Sequence, residues 1–255
     1  MVYSLFPAGF ILAVTFQFSS TRTTAVSLSA ALLAEITARR LFSKNPTLYD
    51  GSSILIGLLF AVMIPQTLPS WMIALGSFSA VFVGKELFGG LGANPFHPSV
   101  VGSMLLHVCF SSGFLAFESG MDRIICPALF LGGLFLIWRK VIPWEIPFIY
   151  LGVFSLGAWI WGGFYSWNHF PFYHAFLAAF YLISDSPTTP LTRTGIRVFT
   201  LGCALLGVIL GHRSSHEGEG IYSAVLLMNA VTPWIDGWMK PRTLRQGSHA
   251  KIFSR

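Results

Sequence analysis

The sequence predicts an all-α polytopic membrane protein of about ten transmembrane or half-helices in two inverted repeats. Three observations carry this expectation. The 255-residue chain is 54% hydrophobic and 10% charged, where an ordinary soluble domain carries roughly 25% charged residues. So few charges cannot coat a soluble globule, and lipid becomes the natural solvent. The apolar runs are short and broken by Gly and Pro, which in a polytopic chain marks half-helices lining a protein-enclosed site. Finally, the basic residues are sorted by loop. The net charge of +6 then reads as positive-inside flanks, and nucleic acid is not an expected partner.

The apolar runs follow in order. Phe6–Phe18 has no basic residues before it and no A-x-A site after it, so it reads as retained, not as a signal peptide. Thr24–Phe42 ends in the basic group Arg39, Arg40 and Lys44. Asp50, before Gly51-Ser-Ser, reads as the N-cap of Ser53–Ile64. Trp71–Phe88 starts just after Pro69 and ends in glycines. Ser99–Phe110 and Ile124–Trp138 come next, the latter closed by Arg139 and Lys140. Pro147–Phe164, Tyr173–Ile183 (just after Pro171), Arg197–Leu210 and Ile221–Trp238 complete the ten.

Ten spans put both termini on one side. With the tail (Lys240, Arg242, Arg245, Lys251, Arg255) in the cytoplasm, Arg39, Arg40, Lys44, Lys85, Arg139, Lys140, Arg193 and Arg197 also fall inside. Of the 16 basic residues only Arg22, Arg123 and Arg213 fall outside, as the positive-inside rule asks. The expectation is a single domain over 1–255, with repeat halves at about 1–110 and 111–238, a basic cytoplasmic tail at 239–255, and a bacterial-type inner membrane as its place. Cys109, Cys126 and Cys203 are far apart in apolar runs, without metal-ligand spacing, and read as small buried residues.

Two stretches resemble each other. One is Gly89-Gly-Leu-Gly-Ala-Asn94-Pro95-Phe-His97-Pro98; the other is Ser184-Asp185-Ser186-Pro187-Thr188-Thr189-Pro190. Each follows an apolar run, contains P-x-x-P and leads into another run. Interrupted segments at corresponding places in two halves point to a central site, so the two loops are expected to approach each other inside the bundle. The first loop offers glycine backbone, Asn94 and His97. Lys85 and Glu86 lie just before it, and charges near membrane depth are functional candidates, although Lys85 also fits an interfacial, snorkelling lysine. The second loop offers Asp185, Thr188, Thr189 and Thr192, with Ser186 as a cap for the next helix. These groups suit a cation or the edge of a flavin ring, and equally plain turn chemistry. Asn229 faces a partner helix or the central site, and Glu217 and Glu219 read as solvated. No nucleophile elbow, phosphate loop or zinc motif occurs, so any chemistry belongs to a bound cofactor.

In combination these strings resemble the RnfD/NqrB family, membrane subunits of Rnf and Na⁺-translocating NADH:quinone oxidoreductase complexes. Tyr49-Asp50-Gly51-Ser52-Ser53, Leu68-Pro69-Ser70-Trp71 and Gly84-Lys85-Glu86-Leu87-Phe88-Gly89-Gly90-Leu91-Gly92-Ala93-Asn94-Pro95-Phe96-His97-Pro98 match, in order, D-G-S, L-P-x-W and G-K-x-x-F-G-G-L-G-x-N-x-F-N-P. Ser184 to Thr192 is similar to D-P-x-T-S-P-L-T. Glu219-Gly220, Leu226 to Ala230, Pro233 and Asp236 are similar to the family's E-G…L-L-M-N-A…P-x-x-D. The resemblance implies a ten-helix, two-repeat fold of urea-transporter type, flavin-based electron transfer coupled to Na⁺ or H⁺ movement, and other membrane subunits of a bioenergetic complex as partners.

The chain departs from the pattern in one main respect. The family's S-G-A-T loop, whose Thr carries FMN through a phosphoester, corresponds to Ser111–Arg123, which has no threonine. Covalent FMN is therefore not expected. A flavin held non-covalently, or none, is; its contacts would be Asn94, His97, Asp185, Thr188, Thr189 and Lys85. His97 stands where the family has Asn, and Ser186 precedes Pro187 where the family has Pro first. The expected role is a non-catalytic or flavin-carrying subunit of a multi-subunit oxidoreductase. The alternatives are a small-solute or ion channel of the same fold, and a structural subunit of another bioenergetic assembly.

Overall fold

A computed structural model describes residues 18–42, 51–90, 92–110, 121–162, 172–185, 187–213 and 218–239. Among them the chain is all-helical. The helices are α1 (Phe18–Leu41), α2 (Ser52–Met63), α3 (Ser70–Val81), α4 (Pro98–Phe110), α5 (Met121–Trp138), α6 (Glu145–Gly162), α7 (Phe172–Leu177), α8 (Arg193–Arg213) and α9 (Glu219–Met239). Each apolar run after the first falls on one of them; Phe6–Phe18 lies, but for its last residue, outside the described residues. Among these, one helix, Arg193–Arg213, is long and apolar enough to cross a membrane by itself, and several apolar helices are shorter.

Contacts at the helix ends show that the elements alternate in direction. Arg22, near the start of α1, donates to the carbonyls of Gln66 and Leu68 in the α2–α3 turn. Trp71 at the start of α3 meets Phe110 at the end of α4. His107 of α4 pairs with Glu219 at the start of α9, and Trp161 and His212 bring together the ends of α6 and α8. At the opposite end, Glu145 at the start of α6 pairs with Arg197 of α8, and Leu191 N–H donates to Asp236 near the end of α9.

Small residues let the helices approach, as in membrane bundles where apolar burial between helices is no driving force. Ser27 of α1 donates to Gly57 O, and Ser77 of α3 donates to Ser27 O, both at 2.7 Å. A Cβ on Gly102 of α4 would lie 2.5 Å from the Gly76 carbonyl of α3, and one on Gly220 of α9 would lie 2.2 Å from the Gly211 nitrogen of α8. Outside, the surface is apolar. Every tryptophan whose side chain is described is exposed: Trp71, Trp159 and Trp161 towards one end of the bundle, Trp138, Trp144, Trp234 and Trp238 towards the other. Two aromatic belts are what two membrane–water interfaces select.

Three sequence expectations need correction. Cys126 and Cys203 are buried, but Cys109 is exposed, because it faces outwards on α4. Glu219 is not a solvated loop residue: it opens α9 and holds His107 at 2.6 Å, where its charge also suits the helix N-terminus. The residue before α2 is Gly51, with φ 66° and no side-chain cap. Asp50, Glu217 and Ser186 lie outside the described residues. The helix after the second loop is capped by Thr192, whose hydroxyl accepts from Gly195 N–H at 3.0 Å.

Candidate functional site

Both interrupted segments end in the same way. Helix α3 widens into a π turn over Phe82–Glu86, and α7 into one over Ala178–Leu182. Leu87 N–H reaches back to Phe82 O at 3.0 Å, and Ile183 N–H to Ala178 O at 2.9 Å. Each turn takes in one extra residue, a departure frequent at functional sites, and each delivers the chain into one of the P-x-x-P loops.

The first loop needs its glycines: Gly89, Gly90 and Gly92 have φ of 117°, 106° and 89°, a region closed to most side chains. Asn94 braces the loop, accepting from Gly92 N–H and donating to Phe96 O, both at 3.1 Å. The π turn packs directly on the start of α4, where a Cβ on Gly84 would sit 2.7 Å from Pro98 Cα. His97 is thereby held in the interior, 2% exposed. In the second loop the Thr188 amide and hydroxyl both donate to Asp185 O, at 3.2 and 3.3 Å.

The two loops meet. His97 Nε2 lies 3.9 Å from Asp185 Oδ2, beyond a direct hydrogen bond. His97 Nδ1 is buried with no partner. Helix α9 runs past the same place. Its Ser223 touches Met104 of α4, and its Thr232 donates to Thr188 O of the second loop. One turn before Thr232 is Asn229, 1% exposed, with neither Nδ2 nor Oδ1 hydrogen-bonded. Pro233 also lacks the N–H that would serve Asn229's own carbonyl. Buried polar groups are nearly always satisfied, and each one left bare costs about 1–3 kcal/mol. Three elements thus bring unused donors and acceptors to one level of the bundle.

Lys85 belongs to a different cluster. It is 1% exposed, so it does not snorkel. Its Nζ donates to Ser52 Oγ at 2.6 Å and Ser53 Oγ at 3.3 Å, and pairs with Glu35 at 3.4 Å and Glu86 at 3.3 Å. Glu35 also holds Arg39 at 2.6 Å. Two carboxylates and two cations balance, all within the first half of the chain. Glu35 was not among the expected site residues; a carboxylate inside the Ala- and Leu-rich run Thr24–Phe42 was its signal. A second unexpected pair, His174 Nδ1 and Tyr222 Oη at 2.8 Å, ties α7 to α9.

Among the described residues, an all-helical bundle with an apolar surface, a buried charge cluster and two interrupted segments that meet inside marks the class as a helical membrane protein. The particular family follows from comparison: the chain belongs to the NQR2, RnfD, RnfE family, whose model matches residues 1–126 and 112–245. It is 32% identical to the D-type subunit of an ion-translocating oxidoreductase complex from Methanosarcina acetivorans, over 92% of this chain and 86% of that protein. It is 29% identical to the D-type subunit of a proton-translocating ferredoxin:NAD(+) oxidoreductase complex from Clostridium ljungdahlii, over 83% and 80%. It is 26% identical to the corresponding subunit of a Na(+)-translocating ferredoxin:NAD(+) oxidoreductase complex from Acetobacterium woodii, over 95% and 88%.

Proposed function

We propose that this chain is the D-type membrane subunit of an ion-translocating electron-transport complex, and that the meeting of its two loops is the working site. The observation that carries the site is the approach of His97 to Asp185 at 3.9 Å, with His97 Nδ1 buried and unbonded; helix α9, which touches the second loop through Thr232, adds the unbonded Asn229. The proposed fold is the ten-helix, two-repeat arrangement with both termini in the cytoplasm. The matching π turns and P-x-x-P loops support the repeat, and the sorted basic residues support the orientation. Other membrane subunits supply and accept the electrons. The relatives' names include both protons and Na⁺, so kinship alone does not select the ion.

A flavin held without a covalent bond fits the donor set at the loops. Its ring edge presents both N–H and C=O groups, and His97 Nδ1, Asn229 Nδ2 and Asn229 Oδ1 stand ready for such partners. Such a flavin would supply one- or two-electron transfer. Asn94 acts by keeping the first loop open, and Thr188 by keeping the second loop turned towards His97. Asp185 sets the charge at the site, with its Oδ2 3.9 Å from His97 Nε2. The segment that corresponds to the family's attachment loop, residues 111–123, contains no threonine, so the proposed flavin is held non-covalently.

The test is to tag the chain, purify it from membranes and analyse the complex. The expected result is co-purification with redox subunits, and flavin that denaturation releases completely. Asp185→Ala should lower ion-coupled electron transfer at least tenfold, about the effect of losing one well-placed charge of 1.4 kcal/mol or more. A chain that purifies without redox subunits would overturn the assignment. Flavin that stays on the denatured chain would overturn the non-covalent site, and wild-type rates in Asp185→Ala would overturn the role of the loops.

A further inference from the structure

The α5–α6 turn carries a cleft of about 520 Å³, lined by Lys140, Glu145, Trp144 and Ile137 and by Arg193 at the start of α8. A second, apolar groove of about 380 Å³ runs between α5 and α6 past Leu134, Phe148, Leu151 and Gly152, and it shares Ile137 with the cleft. The two adjoin at Ile137, and together they offer a channel that is charged at the end of the bundle and apolar along its side. The carboxylate at the charged end is already taken: Glu145 accepts from Arg197 at 2.8 and 3.2 Å. Arg193 acts on the same carboxylate at longer range, and Lys140 forms no ion pair among the described residues, so three cations share one carboxylate at this end.

Lys140 is placed there at a cost to its backbone. The end of α5 is a Schellman turn, with Val141 N–H bonded to Leu136 O and Lys140 N–H to Ile137 O. The first of these two donor positions along the chain takes left-handed φ, which favours glycine, yet it holds Lys140 at φ 55°. Residues held at such φ cluster at functional sites and ligand clamps. Trp138 and Trp144, both exposed, mark this end as the interfacial level, where basic pockets between helices receive lipid headgroups.

We infer that this channel binds one anionic phospholipid. Its phosphate lies between Lys140 and Arg193, its glycerol backbone beside Trp144, and one acyl chain in the groove over Leu134, Phe148 and Gly152. The order of charge and apolar surface along the channel is that of a phospholipid standing in a bilayer. A free phosphate would leave the groove unused.

The experiment uses the intact purified complex, stripped of lipid in detergent and re-exposed to phosphatidylglycerol or phosphatidylcholine, with retained lipid counted by native mass spectrometry. The expected result is one phosphatidylglycerol per chain and weaker retention of phosphatidylcholine. Lys140→Gly and Arg193→Gln should each weaken phosphatidylglycerol about fivefold, the effect of one basic residue at an anionic surface. Lys140→Gly relieves the left-handed backbone, so its loss of lipid cannot be put down to misfolding. A Cβ at Gly152 meets nothing within 4 Å, and Gly152→Phe should fill the groove and displace the lipid. Equal retention of the two lipids, or unchanged retention in Lys140→Gly, overturns the site. Inorganic phosphate competing away the lipid while Gly152→Phe has no effect would reduce it to an anion site and overturn the lipid assignment. A photoreactive side chain at position 148 that captures another subunit in place of lipid would make it a protein interface and overturn the proposal.

Discussion

At position 85 a lysine side chain is 1% exposed, and polar groups of α1, α2 and the π turn gather around it. Burying an ion costs several kcal/mol even after relaxation, and good partners only repay it. Lys85 has two carboxylates and two hydroxyls within 3.4 Å. Removing the lysine leaves Glu86 and Glu35 buried with an uncompensated charge, although Glu35 keeps Arg39 at 2.6 Å. Lys85→Met should therefore destabilise by about 3–5 kcal/mol, seen as a lower melting temperature of the detergent-purified complex and less assembled subunit. The double variant Lys85→Met, Glu86→Gln should recover part of the loss, because it removes the stranded carboxylate. By contrast, the Glu145–Arg197 pair is on the rim, with Arg197 54% exposed. Replacing either partner should leave the melting temperature nearly unchanged, because solvent screens an exposed pair. Equal melting temperatures for the Lys85 and Glu145 variants would show that burial does not set the cost.

Between residue and bundle stand the interrupted segments, where sequence and structure part company. The loops were legible because Pro and Gly act locally: one removes a donor, the other admits positive φ. That the loops meet was legible too, since lipid cannot satisfy their freed backbone groups. The π turns before them were not. Phe82–Glu86 reads F-V-G-K-E and Ala178–Leu182 reads A-A-F-Y-L, with no shared pattern, because one extra residue in a turn is settled by packing. Glu35 escaped for a similar reason, and Asn229 stayed open between two placements: each makes sense only against residues far along the chain. The π turn over Phe82–Glu86 depends on close contact with α4, so it can be tested by size. A Cβ at Gly84 would lie 2.7 Å from backbone at Pro98, which cannot rotate away. Gly84→Ala should cost about 1–3 kcal/mol by overpacking and shift His97 from its place, lowering electron transfer as well as melting temperature. Gly237→Ala, where a Cβ meets nothing within 4 Å, is the control and should be neutral or slightly stabilising. Equal behaviour of the two variants would remove the packing argument.

Across the whole molecule, charge and aromatic placement have to agree on one orientation. Towards one end the exposed tryptophans accompany Arg139, Lys140, Arg193 and Arg197; towards the other they accompany Arg22, His212 and Arg213. Basic residues are retained on the cytoplasmic side, so the first end should face the cytoplasm. The helix ends already tie Arg139 and His212 to opposite ends of the bundle, through Glu145–Arg197 on one side and Trp161–His212 on the other. Single cysteines at these two places read the orientation directly, in a background where the exposed Cys109 is changed to Ser. His212→Cys should react with a membrane-impermeant maleimide in intact cells. Arg139→Cys should react only after the membrane is opened. Reaction of both in intact cells would contradict opposed ends, and a reversed pattern would overturn the cytoplasmic assignment while leaving the bundle itself intact. The lipid site would then have to recruit its anionic phospholipid from the outer leaflet, so the labelling experiment also fixes the leaflet from which Lys140 and Arg193 draw their ligand.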